Sequence, residues 1–513
     1  MFSDTTQTLA IMILTSLLLV LSTYFHFIKK QSQVAFVMLL LISIVVRLFM
    51  ASVDPYLHEW DERFHALVAK HIMSHPFQPM IRLDPILPYK IEDWCCNYIW
   101  VHKQPLFLWQ MAVSMFLFGI NEFALRLPSV VMGTVSIYFI YDIATKWIKN
   151  IDVAYFAALL FTLSYYQLEL TSGRFSLDQN DLTFAFYVTA SIWAFTSYLT
   201  ATKKILWAIL IGLFVGCAVL NKWLPGILVF GGWGLYLLLE TRYNFDLQKW
   251  KYLILAAVIS IVIFAPWQLY ILSAYPVESG IMYEHNKRHI FEVLEGHEGT
   301  VWYHINQMRL IYGMLLITFV PLGIYAITKN KEVDKKLSIA FFTMSIVIYA
   351  FFSILVQTKM PAFTFPVNAI VWIIISVGIV TTLNYISKAN TLMAISAILL
   401  GVYTLKPWQI LDYRAITNIE RNKKINNTNI YKSLNSSHEL NGRVVINCKS
   451  FEDVELMFYN DVNAYHWYPT EQVLDSLMQK GYKFAAFKNH TNHQLPEYIY
   501  GNSEVMIIDE LIE

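Results

Sequence analysis

Two adjacent acids, Asp61 and Glu62, follow a hydrophobic run that ends near Met50, so both carboxylates are expected at a membrane surface. Apolar residues follow them at helical spacing as far as Ile72, which predicts a short amphipathic helix beginning at the acid pair. A partly desolvated carboxylate held at a helix N-terminus can act as a general base. The pair could instead cap the helix and favour its dipole, and the pattern alone leaves both interpretations open.

Four basic residues at predicted membrane boundaries are candidates to hold a phosphate group. Lys103, Lys222 and Lys359 each lie close to a proline, and Arg174 lies at the end of a predicted span. Each lysine could equally be an interfacial anchor, and Arg174 could simply pair with Asp178 four residues later on one helix face. Because several cations are expected on one membrane face, they indicate an anion site.

The elements that must position these residues are mostly membrane-spanning. The chain has 513 residues, of which 56% are hydrophobic and 15% are charged, whereas a soluble domain carries about 25% charged residues. Apolar stretches long enough to cross a bilayer recur from residue 9 to about residue 406, and the chain is polar after that. The net charge of +1 does not favour a nucleic-acid partner.

Lysine and arginine cluster in short loops, which the positive-inside rule places on the cytoplasmic side. Roughly twelve crossings are then predicted, over residues 9–28, 33–51, 124–146, 152–171, 180–201, 205–220, 226–240, 250–271, 307–327, 337–356, 362–385 and 391–406. The apolar segment 106–120 is short for a span, so we interpret it as an interfacial or re-entrant helix. Residues 52–122 thereby become one long external loop with its own helices, and residues 272–305 are external by the same parity.

The polar residues 408–513 alternate strand-like runs with one clear helix between Thr470 and Lys480. They are predicted to form a small soluble α/β domain on the same side as the long loop, whereas residues 1–407 form the transmembrane domain. The sequence contains neither a Walker loop nor a glycine-rich strand-to-helix turn in a usable context. This argues against an ATP-driven transporter and against an enzyme that takes its sugar from a nucleotide.

The order of these motifs resembles that of the GT-C glycosyltransferases. The acid pair is followed by Lys-x-Pro-Leu at Lys103, Arg-Leu-Pro-Ser at Arg126, Gly-Arg-x₃-Asp at Gly173 and Lys-x-Pro-x-aromatic-x-x-Pro at Lys359. Over roughly residues 33–385 the pattern is most similar to the bacterial protein-mannosyltransferase-like and lipid A aminoarabinose-transferase-like members. Members of the family transfer a sugar from a polyprenyl-phosphate carrier to an acceptor on the outer membrane face, with inversion.

The resemblance implies roles for individual residues. Asp61 would be the catalytic acidic residue of the first external loop, Lys103 and Lys359 would hold the carrier phosphate, and Asp178 would line the cavity as a second acid. At position 102, where the aminoarabinose enzymes have a glutamate that can bind metal, this chain has His102. A histidine is also a suitable zinc ligand, so a divalent metal is left open and no cofactor is assigned.

We therefore expect an all-α polytopic protein with the GT-C fold in the bacterial inner membrane, with the active site and the C-terminal domain outside the cytoplasm. Its partners would be a polyprenyl-phosphate-linked sugar and a lipid, glycan or protein acceptor. Lys222 and Arg174 would assist the carrier phosphate, and Glu62 would be a helix-dipole or neighbouring partner of the base. His297 and the helical segment before it could shape acceptor binding or form a solvated amphipathic surface.

Two other functions would use similar lipid-linked substrates. A transporter or flippase should show internal repeats and a polar site at the membrane midplane, and the sequence has neither. A ligase or polymerase would transfer a whole glycan and not a single sugar. Substrate transport without glycosyl transfer would identify the first, and transfer of an entire chain would identify the second.

Overall fold

The computed structural model describes residues 4–93, 95–175, 179–222, 224–437, 440–490 and 493–510. Its long apolar stretches form helices because a helix satisfies all of its backbone hydrogen bonds within one segment, as a lipid environment requires. Up to the beginning of the polar C-terminal part, the helices are α1 (Asp4–Thr23), α2 (Ser32–Ser52), α3 (Asp61–Ile72), α4 (Leu106–Phe118), α5 (Glu122–Ile148), α6 (Ile151–Thr162), α7 (Tyr165–Thr171), α8 (Gln179–Thr200), α9 (Lys204–Lys222), α10 (Leu228–Glu240), α11 (Leu247–Ala274), α12 (Pro276–Phe291), α13 (Tyr303–Ile311), α14 (Met314–Ile317), α15 (Val320–Lys329), α16 (Lys335–Ala350), α17 (Asn368–Ile386) and α18 (Asn390–Leu405).

Within the described ranges, nine helices are long and apolar enough to cross a membrane, and the bent pair α6–α7 would be a tenth. The nine are Thr5–Ile28, Ser32–Ser52, Glu122–Ile148, Gln179–Thr200, Lys204–Lys222, Leu247–Ala274, Lys335–Leu355, Pro361–Ile386 and Asn390–Tyr413. The predicted all-α membrane fold is confirmed, and the chain is an integral membrane protein.

The predicted count of about twelve crossings includes two segments that form shorter helices. These are Leu224–Glu240, which begins with a 3₁₀ turn, and Met314–Lys329, which follows Gly313 at a φ of 96°. Each is interrupted by a proline or glycine near its start, which shortens the regular helix available to span a bilayer. Helix α4 has 13 residues, also short for a crossing, as expected of the predicted interfacial or re-entrant segment.

The C-terminal part has a small parallel sheet, so the predicted α/β domain is confirmed. Its elements are α19 (Pro407–Tyr413), α20 (Ile419–Ser437), β1 (Arg443–Ile446), α21 (Glu452–Tyr459), β2 (Asn463–Ala464), α22 (Glu471–Gln479), β3 (Lys483–Phe487), β4 (Asn489–His490), β5 (His493–Gln494), α23 (Glu497–Tyr500) and β6 (Met506–Ile508). Strands β2, β1, β3 and β6 pair in that order, and all three pairings are parallel. Helices α21 and α22 connect the strands because parallel neighbours need a crossover.

The C-terminal part packs directly on the external loop. Apolar side chains of α3 and α4 share one buried cluster with those of α20, α21 and the sheet. Buried ion pairs connect the same surfaces: Arg63 to Glu455 at 2.9 Å and Arg82 to Asp453 at 2.7 Å. The loop that carries the predicted catalytic acid is therefore held between the membrane helices and the C-terminal sheet.

Candidate active site

Asp61 and Lys103 form the centre of the candidate site. Trp60, at a φ of 62°, occupies the N-cap position of α3, so Asp61 is the first helical residue and does not cap the helix. Lys103 lies just before α4, and its Nζ is 3.6 Å from Oδ1 of Asp61. Both side chains are about one-quarter exposed, so the carboxylate and the ammonium are partly desolvated and still reachable by a substrate.

The surrounding charges favour the ionised form of Asp61. Burial raises the pKa of its carboxyl, but the positive charge of Lys103, and after it those of His65 and Lys222, lower the pKa below its ordinary value. An ionised carboxylate at neutral pH can accept a proton. The charge of Lys222 therefore acts on Asp61, and its role toward a carrier phosphate stays a prediction.

Lys222, at the end of α9, forms an ion pair with Asp181 in the first turn of α8. The two helices are joined beside it, because the Asn221 side chain donates to the backbone and side-chain oxygens of Asn180 at 3.0 and 2.7 Å. The Lys222 ammonium also lies 5.7 Å from the ring centre of Phe363. Asp181 was not assigned a role from the sequence, although a buried acid at a predicted membrane boundary is a signal that could have identified it.

Glu62 is fully buried, unlike the partly exposed Asp61 next to it. Its carboxylate accepts two hydrogen bonds from Arg126 at 2.8 and 2.9 Å, one from the Gln179 side chain at 2.8 Å and one from the His58 backbone at 2.7 Å. Burial raises the pKa of Glu62, but Arg126 more than offsets this and holds it below the usual range. The residue thus anchors the first turn of α3, consistent with a supporting role beside the base.

The two other predicted phosphate ligands are engaged by other groups of the protein. Arg174 donates from Nε to Glu169 at 2.8 Å, and its guanidinium lies 4.2 Å from the ring centre of Tyr413. The Lys359 ammonium donates to the backbone carbonyls of residues 352, 353 and 356 at the end of the π-helical turn that extends α16. Asp178, the alternative partner of Arg174 and the predicted second acid, lies outside the described residues.

A group of histidines lies next to Lys103. The rings of His102 and His285 are 5.6 Å apart, and His285 is 4.9 Å from His289 on α12. Burial, followed by the charge of Lys103, lowers the pKa of His102 well below its ordinary value, which favours the neutral imidazole. Within the described parts of the chain, no three histidine, cysteine or acidic side chains are grouped so that they could hold a metal ion.

His297 belongs to a loop that is fastened to the segment before α17. The backbone of Gln357 donates to residue 290, that of Thr358 to residue 289, and that of Lys359 to the carbonyl of His297 at 2.8 Å. These bonds hold α12 and the His297 loop beside the histidine group. The role of His297 in acceptor binding stays a prediction.

Residues 102–270 match a family model described as dolichyl-phosphate-mannose-protein mannosyltransferase. The undecaprenyl phosphate-α-4-amino-4-deoxy-L-arabinose arabinosyl transferase 2 of Proteus mirabilis is 27% identical over 270 residues, which are 50% of this chain and 46% of that protein. A similarly named transferase of Pseudomonas aeruginosa is 29% identical over 168 residues, 31% of this chain and 29% of that protein. The chain thus spans about half or less of the length of these curated relatives.

The backbone likeness extends much further than the sequence matches. The crystal structure of ArnT from Cupriavidus metallidurans bound to undecaprenyl phosphate superposes with a TM-score of 0.61 at 17% identity, over 92% of this chain and 89% of that one. This chain has the GT-C fold. The GT-C chain is also similar to the archaeal oligosaccharyltransferase AglB from Archaeoglobus fulgidus, with a TM-score of 0.51 and 12% identity over 84% of this chain and 64% of that one. The family resemblance seen in the sequence is therefore confirmed.

Proposed function

We propose that this GT-C protein is an inverting glycosyltransferase that moves a sugar from a polyprenyl-phosphate carrier to an acceptor hydroxyl. The observation that carries the proposal is the Asp61–Lys103 pair, a partly exposed base beside a cation, with the charge of Lys222 close by. The relatives are named as undecaprenyl-phosphate aminoarabinose transferases, and ArnT was crystallised with undecaprenyl phosphate. Those names support a lipid-phosphate donor and leave the sugar and the acceptor of this chain to be identified.

The reaction is a single displacement at the anomeric carbon. Asp61 takes the proton of the acceptor hydroxyl while the acceptor oxygen forms its bond to that carbon. The bond from the carbon to the phosphate oxygen breaks, and its electron pair leaves with the polyprenyl phosphate. Lys103 and Lys222 stabilise the negative charge on the departing phosphate, so positioned cations supply the electrostatic part of catalysis.

The arrangement of Asp61 and Lys103 suits this sequence of events. In the free protein the ammonium of Lys103 lies against the carboxylate and favours its ionised form. A phosphate that binds near Lys103 shares this cation, so the carboxylate becomes a stronger base when the donor is present. Arg174 and Lys359 contribute by holding their segments in place, and direct phosphate contacts from them require new side-chain positions.

The membrane location follows from the same proposal. We place the active site and the C-terminal domain outside the cytoplasm of a bacterial inner membrane, because the basic loops are predicted to be cytoplasmic. The acceptor is a lipid, a glycan or a protein that carries a free hydroxyl. The C-terminal domain packs on α3 and α4 of the external loop. It therefore stabilises the part of the chain that carries the base.

Transfer of label from an undecaprenyl-phosphate-linked sugar tests the proposal, beginning with 4-amino-4-deoxy-arabinose as donor sugar and membrane lipids as acceptor. Asp61→Asn should reduce turnover by about 10²–10⁴-fold, the usual cost of losing a general base. Asp461→Asn, at a carboxylate that is 94% exposed, is the matched control and should retain full activity. An Asp61→Asn protein that has an unchanged melting temperature and near-normal turnover would contradict the base assignment.

A further inference from the structure

A second reactive cluster lies where the external loop meets the C-terminal domain. Cys95 and Cys96 are free, partly exposed thiols, and Sγ of Cys96 is 3.8 Å from Nε2 of His466. The other ring nitrogen of His466 is 3.3 Å from Oδ2 of Asp453, a buried carboxylate held by Arg82 at 2.7 Å. A carboxylate, an imidazole and a thiol therefore lie next to one another in that order, with 3.3 Å and 3.8 Å between the facing atoms.

The charges around this cluster favour a thiolate. Burial lowers the pKa of His466, but its contact with Asp453 more than offsets this and raises the pKa, which favours the imidazolium. The pKa of Cys95 is lowered, chiefly by a hydrogen bond from Cys96 and further by His466, whereas that of Cys96 is raised by the same bond. The remaining charges that face the thiols are those of Asp93, Asp453 and Arg82.

The lowered pKa of Cys95 favours its thiolate, and the adjacent Cys96 thiol lies 3.8 Å from the His466 ring, whose cationic form is favoured by Asp453. Thiolates of this kind, next to a cationic histidine and partly exposed to solvent, are the reactive form of cysteine. A metal site is a poorer explanation of the cluster, because His466 directs its two nitrogens to different partners. The thiol and the carboxylate lie on opposite sides of the ring, so they do not converge on one ion.

We propose that Cys95 and Cys96, with His466 as the positioning residue, form a thiol–disulfide exchange site for small extracytoplasmic disulfides. The thiolate of the pair attacks one sulfur of the small disulfide, forms a mixed disulfide and releases the first small thiolate, which takes up a proton. The second cysteine then loses its proton and attacks the mixed disulfide. Cys95 and Cys96 are oxidised to a vicinal disulfide, and the small disulfide is reduced to two thiols.

The adjacency of the two cysteines predicts that this exchange is reversible. Consecutive Cα atoms are about 3.8 Å apart across a trans peptide bond, whereas disulfides usually join Cα atoms about 4.4–6.8 Å apart. A disulfide between neighbours is therefore strained, and strained disulfides are the easily reduced ones that serve catalytic or regulatory functions. The pair is thus suited to cycle between its two states.

The first test uses the purified full chain, oxidised glutathione and peptide mass spectrometry. The native protein should lose two hydrogen atoms as Cys95 and Cys96 form a disulfide, and it should retain no glutathione. Cys95→Ser and Cys96→Ser should each retain glutathione on the remaining cysteine of the pair. Cys217→Ser, a replacement within α9, is the control and should leave the pattern unchanged. A stable glutathione adduct on the unmodified pair, or no reaction at the pair, would overturn the exchange site.

The second test measures the rate at which iodoacetamide alkylates the pair as a function of pH. The midpoint should lie below the value of about 8.5 for a free cysteine, and unfolding in urea should move it to that value. His466→Gln should slow alkylation at pH 7 by about tenfold if it raises the thiol pKa by one unit. If the native protein and the urea-unfolded chain gave the same midpoint, the thiolate would be refuted. This comparison uses the native protein alone and needs no variant.

Discussion

Replacing Arg126 with methionine tests whether the buried ion pair behind the candidate base holds the site together. Arg126 makes two charged hydrogen bonds to Glu62, at 2.8 and 2.9 Å, and both side chains are fully buried. It also donates to the backbone carbonyls of residues 51, 54 and 56, the segment that leads from α2 into α3. Methionine keeps much of the side-chain length and removes every one of these donors.

The cost should be large because Glu62 would keep its charge without a buried cation. Removing one partner of a buried pair costs about 3–5 kcal/mol of folding free energy, and the bonds from Gln179 and the His58 backbone only partly compensate. In the native protein the pKa of Glu62 lies below its value in the unfolded chain. The ion pair therefore stabilises the fold at pH values above the unfolded-state pKa, and this stabilisation is lost as the pH falls through the folded-state pKa. In Arg126→Met, burial raises the Glu62 pKa, so the defect should shrink as the pH falls from 7.5 to 5.5.

Thermal unfolding in detergent, followed by tryptophan fluorescence at both pH values, measures this effect. Arg126→Met should melt several degrees below the native protein at pH 7.5 and less far below it at pH 5.5. Arg288→Met is the matched control, because its ion pair with Glu292 is about half exposed and should contribute at most about 1 kcal/mol. Equal melting temperatures for the two variants, or a defect that grows at pH 5.5, would refute the reasoning.

Three further outcomes are expected. Because the pKa of Asp61 is lowered in the free protein, kcat/KM for the donor should not decline between pH 7.5 and 5.5, and a fall with a midpoint near pH 6 would contradict this. Gly173→Ala should lower the melting temperature, because the φ there is +80° and the new Cβ would lie 2.2 Å from Glu62, whereas Gly280→Ala meets nothing within 4 Å and should not. Arg421→Met breaks a buried 3.0 Å ion pair between α20 and Asp54 in the loop after α2. Because Arg414 still faces Asp54 at 3.0 Å, the cost should be below the about 3–5 kcal/mol of an uncompensated buried charge, with faster proteolytic release of the C-terminal part. Unchanged proteolysis and melting in that variant would show that the pair is dispensable.

Local patterns in the sequence predicted much of the fold. Hydropathy located the long helices, and the strand-like runs near residues 444, 484 and 505 became β1, β3 and β6. Hydropathy predicted helix lengths less well near prolines and glycines, where the predicted spans 226–240 and 307–327 form shorter helices. It also could not reveal that the external loop and the C-terminal part share one apolar cluster, because the residues involved are several hundred positions apart.

The candidate site, like the fold, could be predicted from the sequence only in part. The motif order indicated Asp61 and Lys103, which lie 3.6 Å apart, and the residue types added Lys222, whose charge lowers the pKa of Asp61. Their roles in one site stay a prediction. The sequence predicted Lys359 as a ligand of the carrier phosphate and Arg174 as an assisting cation, yet Lys359 donates to nearby backbone carbonyls and Arg174 bonds to Glu169. Whether a lysine binds a phosphate or the carbonyls at a helix end depends on its rotamer and its neighbours, which spacing does not specify.

The sequence by itself determined that this is a membrane protein with a polar C-terminal domain, and its motif order indicated the GT-C family. Hydropathy and helical periodicity are local properties, so they can be obtained from the order of residues alone. Only the tertiary structure decided that Asp61 faces Lys103, that Glu62 is neutralised by Arg126 and that Lys222 faces Asp181. The physical reason is that an ion pair depends on distance and desolvation, and packing sets both between residues far apart in the chain.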